Sequence, residues 1–183
     1  KTSPLVIKKI KKSGLNLLGL ANNHIMDYGE TGLKDTLNCC KNESIDIVGA
    51  GNNILEAQKV YYKSIKGKTI AVIAIAENEF SIPRANKGGA APLDLIDNYK
   101  QIIQAKENAD FVILTLHGGN EYFQYPRPQL RKTCKYFIDL GVDSVICHHT
   151  HTIGADEIYK DKFNTYGLGN VFFDTNKNKK YWN

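Results

Sequence analysis

"FVILTLHGGNEY", residues 111–122, is the stretch whose reading decides the fold. Its first six residues carry no charge and favour extended backbone, with no alternation between apolar and polar positions. An uninterrupted run of this kind predicts a strand covered on both faces, which is the signature of a parallel sheet flanked by helices. Polar residues begin abruptly at His117, where two glycines let the backbone approach a ligand closely.

The segments on either side agree. Residues 92–109 have amphipathic helical spacing, and residues 128–141 predict a second helix ended by Gly141. Residues 143–147, "DSVIC", form the next apolar strand. Upstream, Ser3 and Pro4 open a helix that Gly14 stops, with Ser3 as the cap and Pro4 at the first helical position. Strands follow at 15–20 and 45–48, the second running into a glycine-rich turn at 49–51, and a helix over 32–43 separates them. A hairpin joins 60–65 to 69–76 through Lys66-Gly67-Lys68, and another occupies 156–170 and turns at Lys160-Asp161-Lys162. Alternating strands and helices predict a largely parallel α/β core, arranged as a single domain over 1–175 with a polar tail at 176–183.

Composition narrows the function. The chain has 183 residues, 42% of them hydrophobic, which suits a globular protein with a real core. No apolar run reaches the length of a membrane-spanning helix. The net charge of +5 comes largely from lysines at 8–12 and 177–180. No aromatic residues interleave with the first cluster, so a nucleic-acid groove is not expected. The four cysteines, Cys39, Cys40, Cys134 and Cys147, form no CxxC pair and read as reduced, mostly buried thiols that mildly favour a cytoplasmic setting.

All five histidines fall just beyond the carboxyl ends of predicted strands: His24 after 15–20, His117 after 111–116, and His148, His149 and His151 after 143–147. That edge is where ligands bind in open α/β sheets. Taken alone, His117 suits a structural role. The pair His149-x-His151 places two imidazoles within reach of one ion, and imidazole is a common ligand for transition metals. Asp27 stands three residues after His24, placed either to orient that imidazole or to cap a helix starting near Tyr28. Asn22, Glu121, Arg127 and His148 are the candidate substrate contacts, Arg127 as an anion clamp. The loop at 77–83 also leaves a strand end and brings Glu77 and Glu79 as further polar groups. A structural zinc site of Cys147, His149 and His151 is a weaker alternative.

The series "LLGLANNHIMDYGETGLKDTL", "IVGAGNN", "LTLHGGNEY", "VICHHTHTIGADEIY" and "TYGLGNVFF" closely resembles the bacterial capsule-synthesis (CapA-type, poly-γ-glutamate) family, in order and over nearly the whole chain. That family is similar to the calcineurin-like metallophosphoesterases. The resemblance therefore implies a four-layer α/β/β/α sandwich, here lacking its first βα units because no Gly-Asp strand precedes Ser3. Carried over by motif, it makes Asn23, His117, His149 and His151 metal ligands and His24 the acid that protonates the leaving group, with Asp27 beside it. It implies one or two divalent ions (manganese, iron or zinc), at most one of them well held without the missing aspartate. A phosphorylated or anionic polymer-related substrate follows, as does an association with capsule-synthesis machinery and a possible place at the cell surface. The competing expectation is a non-catalytic partner of a polymer synthase or exporter, binding through the same crevice.

Overall fold

The computed structural model describes residues 3–77 and 87–170. The expected loop at 77–83, apart from Glu77, and the expected polar tail at 176–183 lie outside those residues. In chain order the first elements are α1 (Leu5–Lys12), β1 (Leu17–Gly19), α2 (Gly29–Asn42), β2 (Asp46–Val48), β3 (Ala50–Gly51) and α3 (Ile54–Ala57). Then come β4 (Tyr61–Ile65), β5 (Lys68–Ala76), β6 (Gly89–Ala90), α4 (Leu95–Asn108) and β7 (Phe111–His117). The last are α5 (Pro128–Asp139), β8 (Ser144–His148), β9 (Asp156–Tyr159) and β10 (Lys162–Thr165). None of the described helices is long and apolar enough to cross a membrane.

The chain forms two compact units, Lys1–Tyr61 with Ile73–Leu93, and Tyr62–Val72 with Asp94–Asn183. In the first, β1 and β2 pair in parallel with Leu18 opposite Ile47. The N-cap of α1 is Pro4 rather than the expected Ser3, although Ser3 Oγ accepts the Leu5 amide at 3.3 Å just ahead of the helix. The core combines Leu33, Ile45 and Val48 with a set of alanines, among them Ala21, Ala50, Ala74 and Ala91. Small residues let backbones come close, as at Gly49. It has φ +87°, and a Cβ there would sit 2.7 Å from Ala74 and 2.8 Å from Ala21. Only glycine satisfies both the left-handed backbone and the missing space.

The second unit carries β7 to β10, most of β4 and the first part of β5, strands of a sheet ordered β4-β5-β7-β8-β10-β9. β7 pairs with β8 in parallel, and β8 with β10, whereas β9 and β10 are antiparallel. The sheet is thus mixed rather than largely parallel, because the two hairpins expected from sequence lie at its two ends. Their turns are two residues long: Lys66-Gly67 at φ +50° and +79°, and Lys160-Asp161 at +50° and +61°. Positive φ at both central residues matches the right-handed twist of the flanking strands. The third residue assigned to each turn, Lys68 or Lys162, already belongs to a strand.

Helix α5 covers one face of this sheet with Leu130, Thr133, Cys134, Phe137 and Ile138, spaced at helical repeats. Beneath them lie Val145 and Cys147 of β8, with the Cys134 and Cys147 sulfurs 3.6 Å apart. Along β7, Val112, Leu114 and Leu116 are fully buried, while Ile113, Thr115 and His117 are half-buried. The uninterrupted apolar run therefore packs its two faces unequally.

Glu157 of β9 fastens α5 to the sheet edge. Its carboxylate accepts from Arg131 Nε at 2.9 Å and Nη2 at 2.6 Å, from the Lys135 ammonium at 2.8 Å and from the buried Tyr166 hydroxyl at 2.9 Å. The Arg131 fork, followed by Lys135, lowers the Glu157 carboxyl from 4.5 to about 2. The ionised form therefore favours the fold fully above about pH 4.5, and that contribution fades as the pH falls toward about 2. Glu157→Gln is expected to cost about 1–3 kcal/mol at neutral pH. Urea unfolding should show that deficit shrinking between those two pH values, and a deficit independent of pH would contradict it.

Candidate functional site

The carboxyl ends of β7 and β8 meet in register, Leu116 opposite Cys147 and His117 opposite His148. Parallel pairing places both chain exits on the same edge of the sheet, so two loops of imidazoles begin side by side. His117 and His148 are the last residues of their strands rather than the first beyond them. Gly118 donates its amide to the His148 carbonyl at 2.9 Å, which extends the ladder by one rung. Gly119 then turns away at φ +107°, a value that suits glycine, with Thr150 close enough that a Cβ would lie 3.1 Å from its methyl group.

The rings cluster. His117 Nδ1 and His148 Nδ1 are 3.0 Å apart, so one donates to the other. His117 and His149 have centroids 4.6 Å apart, and His149 and His151 have centroids 6.2 Å apart. Burial, and then the neighbouring His149, push the His148 imidazole down to about 4, which keeps it neutral at physiological pH. His148, expected as a substrate contact, has its Nδ1 turned to His117. His149 and His151 adopt φ +114° and +59°. Backbone in this region is unfavourable for residues with a Cβ and concentrates at functional loops.

Asn170 was not among the residues singled out from sequence. Its amide nitrogen donates to the His151 carbonyl at 3.4 Å and its oxygen faces His151 Nδ1 at 2.8 Å. The proton therefore lies on Nδ1, and Nε2 presents its lone pair. The nearby bridge between Ile153 and Leu168 brings Asn170 to this loop. The available signal was its place in "TYGLGN", directly after the last hairpin.

His24, Asn22, Asn23 and Asp27 lie in the first unit. His24 Nδ1 is 2.9 Å from Asp27 Oδ2, which selects the orienting role for Asp27 over capping. Helix α2 accordingly starts at Gly29, with no side-chain cap, instead of at 32. The pair is solvent-exposed, so its strength is modest. Asn22 fixes the loop: its oxygen accepts the His24 amide at 2.9 Å and its nitrogen donates to the Leu20 carbonyl at 3.1 Å. Glu121 and Arg127 are exposed in the second unit, Arg127 as the residue preceding α5.

Imidazole nitrogens are suitable ligands for manganese, iron or zinc. As folded, however, no three His, Cys, Asp or Glu side chains among the described residues form a group able to hold a metal ion. The donor chemistry fits such an ion while the arrangement stops short of a complete site. The zinc alternative fails on direction, because Cys147 is fully buried against Cys134 under α5. Two open clefts lie away from the imidazoles. One, of about 600 Å³, is lined by residues such as Asn38, Lys41, Asp46 and Tyr61. The other, of about 640 Å³, is lined by residues such as Arg131, Lys135, Tyr136 and Tyr159.

Comparison with known proteins adds independent findings. The family described as "Bacterial capsule synthesis protein PGA_cap" matches residues 1–175. The capsule biosynthesis protein CapA of Bacillus anthracis is 34% identical over 174 residues, covering 92% of this chain and 42% of that protein. The PGA biosynthesis protein CapA of Bacillus subtilis (strain 168) is 34% identical over 171 residues, covering 92% of this chain and 45% of that protein. The chain thus spans less than half the length of these relatives. A crystal structure of a novel phosphatase from Mycoplasma pneumoniae aligns with TM-score 0.59 and 16% identity, over 88% of this chain and 53% of that one. The α/β fold expected from sequence is shared with that structure.

Proposed function

The chain belongs to the bacterial capsule synthesis (PGA_cap) family, and from that membership we propose that it is a metal-dependent phosphoester hydrolase acting in the formation of a capsule or cell-surface polymer. The observation that carries the proposal is the gathering of His117, His148, His149 and His151 at the paired ends of β7 and β8. His117, His149 and His151 are the imidazoles that would supply ligands, closing around the ion from an arrangement that as folded is incomplete, and the resemblance adds Asn23. A bound divalent ion would supply positive charge at the phosphate and a nucleophilic hydroxide at neutral pH. The protein's own groups do the rest. His148 packs neutral against His117 and fixes its ring, and Asn170 fixes the tautomer of His151. His24, held by Asp27, is the proton donor that the resemblance assigns.

The test is hydrolysis of p-nitrophenyl phosphate and bis-p-nitrophenyl phosphate with Mn²⁺, Fe²⁺ or Zn²⁺ added, and again after chelation. Turnover that requires the metal is expected, and turnover indifferent to the chelator would refute the proposal. A second reading is a non-catalytic partner of a polymer synthase. It is favoured by the incomplete grouping of metal ligands among the described residues. Metal binding with no turnover of either ester, together with copurification of a synthase, would establish it instead.

A further inference from the structure

Large aromatic side chains stand in water on the loop that follows β7: Tyr122 is 48% exposed, Phe123 63% and Tyr125 78%. Tyr122 and Phe123 are neighbours in sequence on this short loop, and exposed aromatic rings of this size are candidates for ligand contact. The backbone beneath them is firmly tied. Tyr122 donates its amide to the Thr150 carbonyl at 2.7 Å, and Ala155 donates its amide to the Gln124 carbonyl at 2.8 Å. The Thr152 hydroxyl donates to the Phe123 carbonyl at 3.2 Å. All three bonds run to the segment that carries His151. Tyr122 itself sits at φ +65°, a conformation that a bulky residue adopts only under constraint. Its ring lies 27° from the plane of the His151 imidazole, with centroids 6.0 Å apart. The Tyr122 ring therefore borders the imidazole cluster, and the exposed Phe123 follows it in the chain.

We propose that Tyr122 and Phe123 form a stacking subsite for the organic ring of a phosphoester whose phosphate lies at the histidines. The inference rests on the phosphoester reading above and names the substrate class it takes: esters of a planar heterocycle or of a pyranose sugar. Aromatic faces attract flat rings in offset contact, and the C–H face of a pyranose presents a comparable flat apolar surface. An acyclic alcohol offers neither.

The test is calorimetric titration of the whole chain, with and without Mn²⁺, using inorganic phosphate and three phosphonates whose C–P bonds resist hydrolysis. These are methylphosphonate, phenylphosphonate and a glucopyranosyl methylphosphonate. At least one ring-bearing ligand is expected to bind about tenfold more tightly than methylphosphonate, the scale of one ring stacked on an aromatic side chain. The phenyl and glucosyl arms show which ring is preferred. Phe123→Ala should erase the preference and leave inorganic phosphate affinity unchanged, and Phe123→Trp should keep it. Equal binding of all three phosphonates, or a preference that survives Phe123→Ala, overturns the subsite alone. Failure to bind inorganic phosphate overturns the phosphoester reading and the subsite with it.

Discussion

In the His149→Ala protein, the proposed Mn²⁺-dependent phosphoester hydrolysis is expected to fall by at least about a hundredfold, since loss of groups that merely orient a metal ligand already costs roughly 10–100-fold. His149 is the middle ring of the cluster, 4.6 Å from His117 and 6.2 Å from His151 between centroids. Removing it leaves the outer two rings with no imidazole between them. Its backbone, at φ +114°, raises a complication that a second variant resolves. Alanine keeps the unfavourable conformation, whereas glycine adopts it freely. His149→Gly should therefore be as inactive as His149→Ala while melting no lower than wild type. If either variant hydrolyses phosphoesters at the wild-type rate, His149 is not part of the reacting centre.

Phe137→Ala is expected to cost about 3–5 kcal/mol, a large share of the roughly 5–15 kcal/mol that holds a typical domain together. Phe137 is the largest of the fully buried side chains. It projects from the same face of α5 as Cys134, which meets Cys147 of β8. Truncation there opens a void between helix and sheet that rigid strands on the other side cannot fill. The midpoint of thermal unfolding should fall by roughly 10 °C or more. Phe137→Leu, which conserves most of the volume, should lose less than half as much. A Phe137→Ala midpoint within a degree or two of wild type would show that the core does not depend on this contact.

Long periodic or uninterrupted segments were legible because a single physical rule governs each. The apolar run ending at His117 became β7, the amphipathic stretch ended by Gly141 became α5, and lysine-glycine and lysine-aspartate turns closed the hairpins. The Asp27–His24 pair was visible from spacing alone. The pairing of β3 with β6 was not, because Ala50-Gly51 and Gly89-Ala90 lack any strand-forming side chain and their pairing comes from tertiary packing. Nor could the sequence place Nδ1 of His117 against Nδ1 of His148, since the register of two strands separated by a helix is not written in either. Asn170 escaped for a related reason: 19 residues separate it from His151, and backbone bonds between distant segments, among them the bridge at Leu168, make them neighbours.

The amide and hydroxyl bonds that tie the loop after β7 to the segment carrying His151 have a thermodynamic consequence. A backbone already restricted in the free protein has little conformational entropy left to lose when a ligand arrives, so more of each contact's energy appears as affinity. Under the proposed function, a small rigid anion would then be retained by few interactions, and selectivity would reside in the shape of this edge before anything binds.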